Sequence, residues 1–187
     1  MMNEQTPPAR IIHTPRGDVT IRPTREDDAP AYRALRMKGL QAHPEAFGMD
    51  YATSATQPIE YWQARMRSGA GGPEGVTYVA DAAGELIGMT ALVRNDLVKT
   101  RHAGSIFGVY THPDWRGTGV ADALIEACVD YAHALGLRLL RLGVATTNIS
   151  AIRLYQRRGF RVYGIEPESI QHDGVYYDEL LMARRLE

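Results

Sequence analysis

The stretch HPDWRGTGVADALIEA, residues 112–127, sets two glycines and an arginine directly ahead of a run with helical spacing. Glycine costs backbone entropy on folding, about 1 kcal/mol relative to alanine inside a helix. Gly117 and Gly119 at a helix entrance therefore need a reason. Downstream, Val120, Ala121, Leu124, Ile125, Cys128, Val129, Ala132 and Leu135 fall on the stripe of a half-buried helix, and Gly136 stands where a C-terminal cap belongs. Upstream, HAGSIFGVYTHP reads as a strand ended by Pro113. Strand, glycine turn and helix start together make an anion site, because the first N–H groups of a helix are unpaired and glycines let a phosphate approach the backbone. Arg116 adds a cation at the same place.

Working outward, DVTIRPT (18–24) alternates as a first strand, and REDDAPAYRALRMKGLQ reads as a helix with acids at its start. A loop-like stretch, AHPEAFGMDYATSATQP, leads to a second helix, IEYWQARMRS, and GAGGPEG (69–75) breaks the chain after it. VTYVAD and ELIGMTALVR read as a hairpin around 82–84. LRLLRLGVAT is a strand, NISAIRLYQRRG a capped helix, and FRVYGIE and YYDELLMARRL two final strands. The expected order is β-α-α-β-β-β-α-β-α-β-β. Residues 1–16 are expected to be a flexible tail, and 17–187 a single domain.

The chain of 187 residues is long enough to bury a core without a metal or disulfide. One cysteine, Cys128, excludes an internal disulfide and multi-cysteine metal sites, and its apolar neighbours give it an inert core position. Lys plus Arg is 21 and Asp plus Glu 22, so a formal charge of −1 offers nothing to nucleic acid. No stretch has the length and apolarity of a membrane span, and MMNEQTPPAR has no signal-peptide core. These totals lead to the expectation of a cytoplasmic protein with neither nucleic acid nor membrane as a partner.

Three phosphate-cradling patterns can be set against the glycine turn. The P-loop string is missing. The dinucleotide fingerprint fails at Asp122, and residues 131–165 hold no Asp or Glu to take a ribose. The third pattern, R/Q-x-x-G-x-G/A, fits Arg116-Gly117-Thr118-Gly119-Val120-Ala121. Thirty residues on, NISAIRLYQRRGF (148–160) fits N-x-x-A-x-x-x-Y-x-x-x-G-F at Asn148, Ala151, Tyr155, Gly159 and Phe160. With these two motifs the chain resembles the GCN5-related N-acetyltransferase (GNAT) superfamily over roughly residues 101–186.

The resemblance implies an α/β (α+β) fold, a mixed, mostly antiparallel sheet of about seven strands with helices on both faces. It implies acetyl-CoA as co-substrate with no metal, an amine acceptor, and a homodimer as in many relatives. The backbone of Val109, Tyr110 and Thr111 would run beside the pantetheine arm. Arg116, Gly117, Thr118, Gly119, Val120, Ala121 and Asp122 would hold the pyrophosphate, with Asn148 touching the cofactor and Tyr155 as general acid. On residue chemistry alone, Asn148 is equally an N-cap and Tyr155 a core tyrosine beside Ile152 and Phe160. Some members carry a glutamate base five residues before the motif asparagine, where this chain has Gly143. His112, Glu166, Glu168 and Asp178 are the substitutes within the sequence. The acceptor site is expected between HPEAFGMDY (43–51) and a late loop, GIEPESIQHDGVYYDE (164–179). The stripe Asp122, Glu126, Asp130 reads as a solvated helix face. A silent CoA-binding sensor is the alternative function.

Overall fold

The computed structural model describes residues 8–186. An eight-stranded sheet runs through them in the order β1-β2-β3-β4-β5-β6-β8-β7. Its strands are β1 (Arg10–Thr14), β2 (Gly17–Pro23), β3 (Gly75–Ala82), β4 (Glu85–Arg94), β5 (Ala103–Thr111), β6 (Leu139–Ala145), β7 (Arg161–His172) and β8 (Val175–Arg185). The helices are α1 (Ala29–Ala42), α2 (Tyr51–Ala55), α3 (Ile59–Ser68), α4 (Val120–Ala134) and α5 (Ile149–Arg157). Every strand pair is antiparallel except β5 with β6, the pair that α4 connects. No helix among the described residues is long and apolar enough to cross a membrane.

Strand alternation divides the core into two layers. On β3, Val76, Tyr78 and Ala80 face one side, where Leu124, Ile125 and Cys128 of α4 and Leu154 of α5 join them. Val79 faces the other side, with Tyr32 and Leu35 of α1, Trp62 and Met66 of α3, and Met89 of β4. Gly88 of β4 lets α4 sit close, since a Cβ there would stand 3.0 Å from a Leu124 methyl. Cys128 is fully buried and its thiol pushed up to about 12 by desolvation, which makes it an inert core residue.

Four expectations need correction. The expected tail, 1–16, contains β1: Ile12 packs on the core while β1 pairs with β2 from Arg10–Ile21 to Thr14–Gly17, giving the eighth strand. Residues 1–7 of that tail lie outside the described residues. The late loop is the far half of the β7–β8 hairpin. Its register slips between Glu166 and Ile170, where Glu168 has φ 52° and donates its N–H to Asp178 Oδ1 at 2.9 Å. This bulge absorbs Pro167 without ending the strand. The acidic stripe of α4 is an ion-pair seam: Asp122 and Glu126 take Arg157, Arg158 and Arg184, and Asp130 takes Arg10 of β1. The loop-like stretch after α1 also folds a short helix, α2, whose N-cap Asp50 accepts from Thr53 N–H at 2.8 Å.

Candidate functional site

The parallel pair β5–β6 is joined only at its start, from Ala103–Leu139 to Ser105–Arg141. Beyond those three rungs the strands separate. On its other edge β5 stays paired with β4, but a register shift between Met89 and Ala91 leaves an extra residue on β5, and Gly108 there has φ 63°. That bulge switches the alternation, so Ile106 and Val109 face the α4 layer while Tyr110 packs among the α1 side chains.

A cleft of about 580 Å³ opens at the mouth of this separation. Its walls are Val109, Tyr110 and Thr111 of β5, the turn Trp115–Gly117 with Gly119, the first turn of α4 at Ala121 and Asp122, and Asn148 with the inner face of α5. His43, Ala46 and Phe47, after α1, close the far end. Thr111 contributes a buried hydroxyl with no hydrogen-bond partner.

The glycines are required by backbone conformation. Gly117 has φ 74° and Gly119, the N-cap of α4, φ 90°, a region L-residues rarely adopt. A Cβ at either position would meet nothing within 4 Å, so the space above the turn is open. No side chain caps α4, and the first helical bond back to the turn is Ala123 N–H to the Gly119 carbonyl at 3.0 Å. The N–H groups of Val120, Ala121 and Asp122 therefore remain for an anion. The Asp122 carboxylate, which would repel one, is drawn aside by Arg158 at 2.8 Å. Arg116 Nη2 donates to His43 Nε2 at 2.8 Å, while His43 Nδ1 lies 3.5 Å from Glu45. The chain Glu45–His43–Arg116 thus holds the cation at the cleft wall.

Asn148 is the N-cap of α5: its Oδ1 accepts from Ala151 N–H at 3.2 Å and from the Ser150 hydroxyl at 3.0 Å. Tyr155 is buried, its ring tilted edge-on to Phe160 at 6.1 Å. Both the cap and the core reading of these two residues therefore describe real contacts; Asn148 also lines the cleft, whereas Tyr155 is buried and is not among the lining residues. Val120 turns its side chain fully into the core, and the Thr118 hydroxyl donates to the Trp115 carbonyl at 2.7 Å, so these two offer the cleft backbone only.

Among the four acids and bases expected to replace a glutamate at Gly143, none lines the cleft. A fifth group, Glu179, which does not line the cleft either, stands beside Gly143 instead. Gly143 is an exposed glycine on β6, and a Cβ there would stand 2.9 Å from Glu179 Oε2 and 3.1 Å from Oε1. The register explains it: Ala145 pairs with Glu179 and Gly143 with Leu181, so the Glu179 side chain lies on the Gly143 face of the sheet. Ser169 donates to Oε2 at 2.7 Å. Burial first, and then the Glu179 charge, push the Tyr155 phenol well above its ordinary value, which keeps it protonated.

The Acetyltransferase (GNAT) family profile matches residues 38–160, two thirds of the chain and all of the cleft described above. The chain belongs to the GNAT family. It is 28% identical to an L-methionine sulfoximine/L-methionine sulfone acetyltransferase of Pseudomonas paraeruginosa, over 79% of this chain and 87% of that one. It spans only 38% and 45% of the length of the first two curated relatives it matches. A GNAT acetyltransferase of Streptococcus pneumoniae superposes with a TM-score of 0.80 at 23% identity, over 90% of this chain and 99% of that one. The yncA protein of Salmonella typhimurium, solved with its cofactor acetyl-CoA, superposes with a TM-score of 0.73 at 21% identity, over 90% and 94%. The chain thus has a mixed, mostly antiparallel sheet of the family type.

Proposed function

We propose that this protein is a cytoplasmic enzyme that transfers the acetyl group of acetyl-CoA directly to a primary amine of a small molecule or a protein terminus. The observation that carries the reading is the gap between β5 and β6, which opens beside an uncapped helix start and an open glycine turn. An extended pantetheine arm fits such a gap as an added strand, taking the free edge groups of β5 at Val109–Thr111. The turn Gly117–Asp122 and Arg116 fit a pyrophosphate.

Acetyl-CoA supplies an acyl carbon already activated by its thioester. The protein has to hold it, remove a proton from the attacking amine and return one to the departing sulfur. In this reading Val109 N–H polarises the carbonyl. Glu179 accepts the proton that the amine nitrogen loses as its new C–N bond forms, directly or through a water in the Gly143 gap. Tyr155 gives its phenolic proton to the sulfur as the C–S bond breaks. An acceptor amine with a pKa near 8 is roughly a tenth neutral at pH 7, so a modest carboxylate base suffices. A homodimer belongs to the same reading, supported by Val162, Tyr163 and Ile165 standing exposed on the edge strand β7.

Calorimetric titration with acetyl-CoA, with NAD as control ligand, tests the cradle. Saturable binding is expected for the wild type and loss of it for Gly119→Val; a folded wild type that binds no acetyl-CoA would refute the reading. Glu179→Gln is expected to keep that binding and lose about a hundredfold in kcat, the ordinary worth of a general base. Unchanged kcat in Glu179→Gln or in Tyr155→Phe would remove that residue from the mechanism. Full binding with no turnover of any amine would favour a CoA sensor.

A further inference from the structure

The arginine–carboxylate pairs among the described residues use Arg10, Arg22, Arg67, Arg157, Arg158 and Arg184. Arg36, on the sheet-facing side of α1, takes part in none although it is only 7% exposed. Its guanidinium carbon stands 4.5 Å over the Phe47 ring, and Phe47 lines the far end of the cleft. Its Nη1 lies 3.0 Å from where a Cβ on Gly108 would be, at the β5 bulge one residue before Val109. Arg36 thus reaches from the first helix to the point where the strands part. A second unpaired guanidinium, Arg65 of α3, adds positive charge to the same neighbourhood, with Tyr32 and Tyr61 beside it.

A buried cation costs several kcal/mol unless something meets its charge. Arginine cannot escape that cost by losing its proton, as a buried lysine does. Nothing in the described fold supplies the missing anion. Acetyl-CoA does not supply it either, since its phosphates belong at the opposite end of the cleft, at the start of α4. The remaining occupant of this end is the acceptor.

We infer that Arg36 binds a carboxylate on the acceptor, which makes the substrate an amino acid and not a simple amine. The planar fork of a guanidinium matches a carboxylate through two parallel hydrogen bonds. Gly108 lets Nη1 pack against the β5 bulge, where a Cβ would stand 3.0 Å away. With its carboxylate at Arg36, the acceptor's amino group points along β5 toward the Val109 position and the carboxylate of Glu179 across the gap. The inference rests on the acetyl-transfer reading above.

The test uses the whole chain at saturating acetyl-CoA and follows free CoA release. The probes are α-amino acids, each paired with its carboxamide and its decarboxylated amine: leucine with leucinamide and isopentylamine, tyrosine with tyrosinamide and tyramine, and so through the common side chains. We expect the free acids to exceed both partners at least tenfold in kcat/KM. Arg36→Met should erase that preference by raising KM for the acids, with the KM for acetyl-CoA unmoved, and Arg36→Lys should restore part of it. If Arg36→Met fails to fold, the wild-type comparison alone decides. Amides or plain amines matching the acids would overturn the inference, as would a preference that survives Arg36→Met. Acetyl-CoA binding with no turnover of any free acid would also overturn it while leaving the cradle intact. Absence of acetyl-CoA binding would instead strike the transfer reading itself.

Discussion

Arg22 and Arg36 are equally buried, each 7% exposed, and their surroundings are opposite. Arg22 gives two hydrogen bonds to Asp28, at 2.7 and 2.8 Å, and two to Asp81, at 3.1 and 2.9 Å. The Asp28 hydrogen bonds, against the desolvation, push its guanidinium above the ordinary arginine value. Arg36 has an aromatic ring and another arginine. Burial, against the pull of Tyr32 and helped by Arg65, holds it below that value. One charge is answered inside the fold, tying β2 to β3 and to the start of α1. The other is left open at the edge of the cleft. A fold that can satisfy a buried arginine with two carboxylates, and does not do so a few turns away, has left that second charge for a ligand.

The widest way to break the contrast is to truncate the answered charge. Arg22→Met leaves Asp28 and Asp81 with side chains 11% and 19% exposed and no cation, which should cost about 3–5 kcal/mol of stability in urea unfolding. A loss below 1 kcal/mol would mean the network is ornamental. The same truncation at Arg36 removes an unanswered charge and a cation–π contact together, so stability should stay within about 1 kcal/mol of wild type. A large loss there would make Arg36 a structural residue. The smallest effect is in acid. Desolvation raises the Asp28 carboxyl, but Arg22 and the Arg25 N–H outweigh it and hold the group below its ordinary value. Its contribution is therefore complete above about pH 4 and lost as pH falls through the lowered value, because only then does the folded state take up the proton. The stability gap between wild type and Arg22→Met should narrow as pH falls below about pH 4.

The two arginines also mark what the sequence could disclose. Gly117, Gly119, Asn148 and Tyr155 were legible because each sits in a short local pattern: a left-handed turn, an N-cap, and a helical spacing seven residues on. Gly117, Gly119 and Asn148 line one cleft, while Tyr155 is buried in the core beside Phe160. Glu179 was not legible, since only antiparallel register carries it from position 179 to the space at Gly143. The same holds for His43 and Arg116, which meet across 73 positions. Arg36 did leave a signal: it shares the buried stripe of Tyr32, Leu35, Gly39 and Leu40, where a charge is out of place. β1 was missed because two isoleucines among prolines and polar residues are too few to set a period.

The three-rung junction of β5 and β6 also bears on how long the molecule survives. Amides along Val109–Thr111 and Leu142–Ala145 face each other across the gap with no ladder between them. Within the sheet this is a place where solvent deuterium should enter early and where local opening should begin. Anything that lodges there and not in the unfolded chain lends the fold RT ln(1 + [L]/Kd), about 2.7 kcal/mol at a hundred times its dissociation constant. A protease would then cut a starved molecule sooner than a supplied one. The amount of this protein in a cell would follow the supply of the compound that fills the gap.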